Sequence, residues 1–353
     1  MYNGYAGLVS ARVSRRKALT LGAQAGLGAC LAVLGSSCAA PSPAAGPASQ
    51  PQKLTQMRMT AGANFAFTNL FVGEATGIFK KYGLDTTVAL FDVSYQGTEA
   101  VIAGQAELGI TVEFPLVNML SKGADLVIPA VSASGDDLRL VCINAIQKPE
   151  DLVGKRIAFI FGSNSEYAFD RYLSKYNVDP KKVTMVNVPA AEQIALLVKG
   201  DIDGYIWGEP NASKGLDAMG GKAHVLKPGF VEAYMTRLYI EMMRPWVEKN
   251  PDVLANLLRA LIECNEYIKA NPQQTAEIGG KKLNMPTDQA ADLIKKMGLT
   301  WDIYLDSTSV EVFQQVIAWM KATGRFQGTE PDLKKLFVPE YLKKIDPKMV
   351  KGF

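Results

Sequence analysis

The segment VIAGQAELGI at residues 101–110 has a counterpart in LVKGDIDGYI at residues 197–206, at a constant offset of 96 positions. Each copy combines the end of an apolar helical stretch, a glycine suited to a left-handed helix C-cap, an acidic turn and a short apolar strand. The same helix–turn–strand unit is therefore predicted to occur twice, once in each of two similar lobes. The alternative is a chance likeness between two turns of this kind.

Short β-type runs alternate with helical stretches around both copies, which is typical of a doubly wound α/β fold. Helices are predicted at residues 68–81 and 190–199, and strands at residues 86–91, 108–112, 138–143, 156–161, 183–188 and 205–207. The last third of the chain has almost no strand signal. There, Asn250-Pro251-Asp252 predicts the capped start of a long amphipathic helix.

The composition excludes several classes of protein. With 48% apolar and 21% charged residues, the 353-residue chain can bury an ordinary core and is neither disordered nor collagen-like. Residues 1–38 contain four basic residues and no acid, so without them the net charge changes from +3 to −1. Such a chain has no basic field for nucleic acid. Because His224 is the sole histidine, histidine-based metal sites and Ser-His triads are hard to build, and we predict no metal or cofactor.

Residues 1–38 have the features of an export signal. Arg15 and Arg16 precede a weakly apolar run over residues 18–34, an arrangement that resembles a twin-arginine signal. A permanent membrane helix is the alternative, but the run is at the short edge of what spans a bilayer and contains glycines.

Either Cys30 or Cys38 is the candidate for lipid modification. Cys30 closes a sequence that resembles the lipobox of bacterial lipoproteins, whereas Cys38 ends the whole apolar run. Residues 39–54 are rich in proline, alanine and serine and are predicted to form a flexible tether, which favours Cys38. The predicted location is the periplasm or cell surface, anchored to the membrane by lipid. Simple cleavage to a free protein is the alternative.

Two further cysteines, Cys142 and Cys264, lie in the body of the chain. Export would expose them to an oxidising compartment, where they could form a disulfide. Both have apolar neighbours, so we favour buried, unpaired thiols.

Glu113 and Glu209 keep the same offset of 96 and lie just beyond the ends of the two repeated strands. Ligands of open α/β sheets bind in the crevice outside the carboxyl ends of the strands. We therefore expect the two carboxylates to enter one cleft from opposite lobes. The alternative is that both are solvated loop residues.

Other candidate ligand-binding residues lie in turns after predicted strands. Ser163, Asn164 and Ser165 open a helix whose free N–H groups and positive dipole end would face the cleft, while Glu166 is assigned to a capping box with Ser163. Aromatic rings and polar side chains supply the rest of the predicted wall. These residues are Asn64, Phe65, Phe67, Gln96, Thr98, Phe114 and Trp207, of which Phe65 and Trp207 are favoured among the aromatic ones.

Five stretches in a fixed order carry a family resemblance. They are residues 77–85, 104–109, 151–158, 200–204 and 207–210. Across residues 55–300 the chain resembles the substrate-binding proteins of bacterial ABC importers for aliphatic sulfonates, taurine, nitrate and thiamine-pyrimidine precursors. The resemblance implies a two-lobed type II periplasmic-binding fold, each lobe a doubly wound sheet, with a helical C-terminal segment packed on lobe I.

The resemblance also implies boundaries and partners. Hinge crossings before Asp151 and near residues 234–238 would divide the chain into lobe I, residues 55–145 plus 237–353, and lobe II, residues 146–236. The sequence alone allows a simpler cut at Gly135. The implied partners are a small-molecule ligand and the permease and ATPase subunits of the importer, and the protein is expected to be a monomer.

The charges of the candidate turns bear on the ligand. These turns contain Glu113 and Glu209 but no lysine or arginine, and a carboxylate that loses its water needs a donor or a cation. Nitrate is therefore disfavoured, and a small nitrogen-containing compound such as an amino-sulfonate or aminopyrimidine is predicted. Two alternatives remain: a pyrimidine-synthesising enzyme of the same fold, which needs an active-site histidine and a cysteine-rich motif, and an exported receptor for a sensor.

Overall fold

The computed structural model describes residues 54–353. The predicted signal, with Cys30 and Cys38, and all but the last residue of the predicted tether lie outside the described residues. Within residues 54–353, no helix is both long enough and apolar enough to cross a membrane.

The described part of the chain alternates strands and helices. The strands are β1 (Thr55–Gly62), β2 (Leu84–Phe91), β3 (Gly109–Thr111), β4 (Leu126–Gly135), β5 (Arg139–Ile143), β6 (Arg156–Phe159), β7 (Thr184–Asn187), β8 (Gly204–Trp207), β9 (Ala223–Val225), β10 (Thr236–Met243), β11 (Leu299–Thr300), β12 (Leu305–Asp306) and β13 (Val350–Lys351). The six predicted strands are all present, with ends shifted by at most two residues.

The helices lie between these strands and fill the C-terminal third. They are α1 (Thr68–Thr76), α2 (Ile78–Lys81), α3 (Ser94–Ile102), α4 (Glu113–Ser121), α5 (Asn164–Lys175), α6 (Ala190–Lys199), α7 (Asn211–Met219), α8 (Arg244–Lys249), α9 (Pro251–Ala270), α10 (Pro272–Lys282), α11 (Thr287–Lys296), α12 (Ser307–Ala322), α13 (Leu333–Leu336) and α14 (Glu340–Lys343). The predicted helix at 68–81 is divided at Gly77, whose φ of 76° is left-handed. The long helix begins at Pro251 as predicted, but the Asn250 side chain donates to Trp246 O and does not cap it.

Eleven of the described strands form two mixed sheets of similar order, and β12 and β13 form a separate parallel pair. Sheet I has the order β2-β1-β3-β10-β4-β11, in which β1 reaches β3 through a parallel bridge between Met59 and Leu108. Sheet II has the order β7-β6-β8-β5-β9. β10 in sheet I and β5 in sheet II are antiparallel to both neighbours, and so is β4, which pairs with β10 and β11. The two sheets are therefore variants of one doubly wound design.

The repeated sequence unit has the same structure in both sheets. A helix, α3 or α6, is followed by a glycine with positive φ, Gly104 or Gly200, and then by a strand inside the sheet, β3 or β8. The acidic turn residue is ion-paired to an arginine in a parallel strand of its own sheet: Glu107 with Arg58 of β1, and Asp203 with Arg156 of β6. Each arginine also donates to the carbonyl of the glycine, at 3.0 and 2.8 Å.

The chain crosses between the sheets at two places. β4 and β10 pair as far as Gly135 and Thr236, and beyond these residues the chain runs to β5 on one side and comes from β9 on the other. The predicted lobe boundary at 145/146 would leave β5 in lobe I, whereas β5 is hydrogen-bonded inside sheet II. We therefore propose that the first crossing lies at residues 136–138, close to the cut at Gly135 that the sequence alone allowed.

The C-terminal helices pack on the sheet I side, as predicted. α9 packs against α1 and α2, and α12 packs against α4. The apolar stripe of α9 is fully buried, and it contains one of the two free cysteines, Cys264. Cys142 in β5 is likewise buried and free, so the prediction of unpaired thiols is confirmed.

Glu241 is a buried carboxyl group at the centre of sheet I. It accepts hydrogen bonds from Thr98 Oγ1 at 2.7 Å and from the Thr111 N–H at 3.1 Å. Burial raises the pKa of Glu241 to about 8, against the partial opposing effect of these hydrogen bonds. The folded protein therefore holds a proton there that the unfolded chain releases near its ordinary pKa.

We predict that Glu241→Gln gains stability relative to the wild type as the pH rises from 5.5 to 7.5. Over this range the protonated Glu241 lowers the free energy of unfolding of the wild type by about 1.4 kcal/mol per pH unit, because only the folded state keeps the proton. A glutamine does not titrate and makes no such contribution. Urea unfolding at both pH values measures the difference. Glu99→Gln, an exposed acid on α3, is the control and should follow the wild type. If the difference in unfolding free energy between Glu241→Gln and the wild type is the same at both pH values, the prediction is contradicted.

Candidate functional site

An open cleft lies where the carboxyl ends of the strands of both sheets meet the hinge. It contains about 770 Å³ of space outside the protein atoms, including its mouth. Turns after β1, β2 and β3 supply one wall, turns after β6 and β8 the other, and the two crossings form the floor. The lining residues are Asn64, Ala66, Phe67, Asp92, Val93, Ser94, Tyr95, Val112, Pro115, Asp137, Leu138, Ile160, Ser163, Asn164, Trp207, Gly208, Glu209, Thr236 and Leu238.

The wall is apolar with a few polar groups. Phe67, Tyr95 and Trp207 supply aromatic surface, and aliphatic side chains fill the space between them. Among the described residues, the lining contains three carboxylates and no lysine or arginine. Such a wall suits a compact organic molecule with few polar groups.

Six of the predicted site residues lie in this wall. They are Asn64, Phe67, Ser163, Asn164, Trp207 and Glu209. Asn64 and Ser163 also cap the turns that carry them, since their side chains accept from the N–H groups of Ala66 and Ser165. Their positions follow from the turn chemistry that the sequence indicates.

Glu209 is 8% exposed and lies at the edge of α7. Its Oε2 accepts a hydrogen bond from the Ser213 N–H at 3.0 Å, which satisfies one of the free donors of the helix N-terminus. Among the described residues no hydrogen-bond partner contacts its Oε1. One carboxylate oxygen is therefore free toward the cleft.

The other member of the predicted pair, Glu113, is not in the cleft wall. It is completely buried at the start of α4, where Tyr234 Oη donates to its Oε1 at 2.8 Å. Its Oε2 has no partner among residues 54–353, and burial raises the pKa of Glu113 to about 7. The predicted pair of opposed carboxylates is therefore wrong. The reason is that α4 begins at Glu113 itself and turns its side chain inward, whereas α7 begins two residues after Glu209.

Five more predicted residues lie outside the lining. Phe65 is buried against Gly279 of α10, Thr98 donates to Glu241, and Phe114 packs edge-on against Trp319 with ring centroids 5.5 Å apart. Ser165 is buried, with no hydrogen-bond partner for its Oγ in the described part of the chain. Gln96 is half-buried and does not line the cleft.

Glu166 has the structural role predicted for it, with a different partner. Its Oε2 accepts from the Gly162 N–H at 2.8 Å, not from that of Ser163. Its Oε1 is ion-paired with Arg325, which belongs to the segment after α12. The N-terminus of α5 therefore already holds a carboxylate of the chain.

Sequence reasoning missed two acidic residues of the cleft, Asp92 and Asp137. Asp92 directly follows β2, so the rule that ligands bind beyond strand ends could have found it. Asp137 lies in the first crossing, and no local pattern marks it. Burial raises the pKa of Asp137 to about 6; Arg139 opposes this rise, while Asp136 and Glu209 add to it.

His224 does not line the cleft. Among residues 54–353, no three His, Cys, Asp or Glu side chains are grouped to hold a metal ion. His224 lies in β9, with Nδ1 3.2 Å from Asn144 Oδ1.

Comparison with known proteins agrees with this architecture. The family model described as "NMT1/THI5 like" matches residues 64–275, more than half of the chain. The taurine-binding periplasmic protein of Escherichia coli strain K12 is 28% identical over 208 residues, covering 57% of this chain and 63% of that protein. A putative aliphatic sulfonates-binding protein of the same strain is 24% identical over 207 residues, covering 58% and 64%. The chain thus spans just under two thirds of these relatives.

A solved structure shows the same fold. The periplasmic aliphatic sulphonate binding protein of Escherichia coli superposes with a TM-score of 0.71 at 19% identity, covering 80% of this chain and 96% of that one. This likeness confirms the predicted two-lobed type II periplasmic-binding fold. With the family match over residues 64–275, the chain belongs to the NMT1/THI5-like family.

Proposed function

We propose that the chain is the extracytoplasmic solute-binding component of an ABC importer. In this role it captures a small nitrogen-containing organic compound in the cleft and delivers it to the permease by closure of the lobes. The observation that carries the proposal is an acidic, aromatic-lined cleft at the carboxyl ends of two similar sheets, floored by two chain crossings. The names of the two relatives, both binding proteins, support the general role.

Lobe closure follows from contacts on both walls. A ligand that contacts Asn64 or Phe67 on one side and Trp207 or Glu209 on the other stabilises the closed state more than the open one. Only this difference in affinity drives closure. The proposed ligand-binding residues are therefore those of the predicted set that line the cleft.

A thermal-shift screen of small amines, aminopyrimidines and amino-sulfonates tests the proposal. A ligand at 100 times its dissociation constant adds about 2.7 kcal/mol to the unfolding free energy and raises the melting temperature. We expect at least one nitrogenous compound to do so and to bind with one-to-one stoichiometry in calorimetry. Absence of stabilisation across the whole panel would count against a solute-binding role.

We predict that Glu209→Gln weakens the binding of the ligand found in this screen by roughly tenfold, about 1.4 kcal/mol, because the free carboxylate oxygen is lost. The glutamine retains an acceptor for the Ser213 N–H, so the fold should be preserved. Glu192→Gln on the exposed face of α6 is the matched control. Equal affinity of Glu209→Gln and the wild type, measured by calorimetry, would remove Glu209 from the site.

The N-terminal residues are proposed to export the protein through a twin-arginine signal and to anchor it through lipid on Cys38. We predict that Cys38→Ser moves the full chain from the membrane fraction to the soluble fraction of an exporting bacterial host. Cys30→Ser should leave it in the membrane fraction. Release by Cys30→Ser alone would assign the lipid to Cys30, and no release by either would contradict the anchor. The monomeric state is a further part of the proposal, which sedimentation tests.

A further inference from the structure

The helix N-termini around the cleft already carry carboxylates of the chain itself. Glu166 accepts from the Gly162 N–H beside α5, and Glu209 accepts from the Ser213 N–H inside α7. Glu113 lies in the first turn of α4, and Asp92 lies two residues before α3. Helix N-termini attract anions through free N–H groups and a positive dipole end. Of these four carboxylates, Glu209 alone accepts from a helix N–H, whereas Glu166 accepts from the N–H of the residue before the N-cap of α5.

Two carboxylates share one corner of the cleft. The Asp137 carboxylate lies over Gly208, where an added Cβ would be 3.1 Å from Asp137 Oδ1, and Glu209 is the next residue. Among the described residues, the Asp137 side chain receives no hydrogen bond, and Glu209 has one free oxygen although it is more than nine-tenths buried. The glycine at 208 thus leaves room for two neighbouring carboxylates that face the ligand space.

The nearby cations are committed elsewhere. The Arg139 guanidinium is paired with Asp136 and donates to the carbonyls of Asp136, Leu138, Lys296 and Met297. The Lys296 ammonium is paired with Asp292 at 2.6 Å. Neither residue lines the cleft. When the lobes close and water leaves, the corner needs a positive charge from the ligand.

We propose, building on the solute-binding function above, that the Asp137–Glu209 corner binds the protonated nitrogen of an organic cation that carries no acidic group. The ligand class is an amine or amidine on a compact apolar or flat body. Asp137 is the residue that sets the preference for positive charge. The rings of Phe67, Tyr95 and Trp207 suit the body of such a ligand, since aromatic faces attract cations and stack on flat groups.

Benzamidine and benzenesulfonate form a matched pair of probes with the same ring and opposite charge. We expect benzamidine to bind at pH 7.5, detected by calorimetry and by a change in tryptophan fluorescence. Benzenesulfonate and taurine should show no binding at a tenfold higher concentration. Asp137→Asn should lower the affinity for benzamidine by roughly tenfold or more. The control is Asp302→Asn, which removes an exposed acid paired with Lys269 on the surface and should bind benzamidine as the wild type does.

The pH dependence gives a second readout. Asp137, with its pKa of about 6, is ionised at pH 7.5 and mostly protonated at pH 5.5, so benzamidine affinity should fall over this range while the probe stays cationic. Besides Asp137, the charged groups that face this corner are Asp136, Arg139, Glu209 and Lys296. In Asp137→Asn, benzamidine affinity should lose most of its dependence on pH. If the Asp137→Asn variant does not fold, Asp137→Ser serves as a second neutral variant.

Each outcome separates the ligand class from the solute-binding function. Binding of benzenesulfonate or taurine in preference to benzamidine would overturn the preference for cations and leave the function standing. Unchanged benzamidine affinity in folded Asp137→Asn would overturn the role of Asp137. If neither benzamidine nor the two anionic probes bind, the proposed ligand class is overturned. The broader thermal-shift screen then tests the solute-binding function independently.

Discussion

The antiparallel pairing of β4 with β10 is the constraint on which the rest of the structure depends. The two strands pair from Met243 and Leu126 to Thr236 and Gly135, and both chain crossings start at that end. At Gly135 the backbone approaches Gly298 so closely that an added Cβ would lie 2.1 Å from its carbonyl oxygen. The pairing thus fixes where sheet I ends, where sheet II begins and which residues form the floor of the cleft. The first crossing has only three residues, 136–138, between β4 and β5.

A second contact between the lobes lies outside the cleft and explains why some candidate residues are buried. The Trp319 ring packs edge-on against Phe114 from one lobe and Tyr167 from the other, at centroid distances of 5.5 and 5.3 Å. Close by, Arg325 is ion-paired with Glu166 and lies over the Trp319 ring. Opening of the lobes at this contact would separate aromatic faces and expose a buried carboxylate. This contact therefore joins the two lobes independently of the cleft.

The sequence predicts those parts of the site that local turn chemistry determines, and fails where tertiary packing decides. Asn64, Ser163 and Glu209 follow strand ends, and each accepts a backbone N–H in its own turn, so position alone locates them. Glu113 has the same offset in the repeat as Glu209, but an offset fixes a place along the chain and not the direction of a side chain. Asp137 was missed because its position depends on strands about a hundred residues apart. β10 was missed for a related reason, since the acidic side chain of Glu241 inside it is accommodated by partners on α3 and β3.

The fold that this chain shares with a sulphonate-binding protein does not by itself determine the charge of the ligand. A doubly wound fold brings several helix N-termini to one cleft, and free N–H groups there favour anions. The charge of the ligand that the cleft prefers depends on which side chains lie in the first turns of these helices. Here the Glu166 carboxylate accepts from the N–H just before the N-cap of α5, the Glu209 carboxylate accepts from an N–H of α7, and Asp137 adds a third carboxylate at the hinge. Under the proposal above, these internal carboxylates weaken the attraction of the helix N-termini for an anion and give the cleft its preference for a cation.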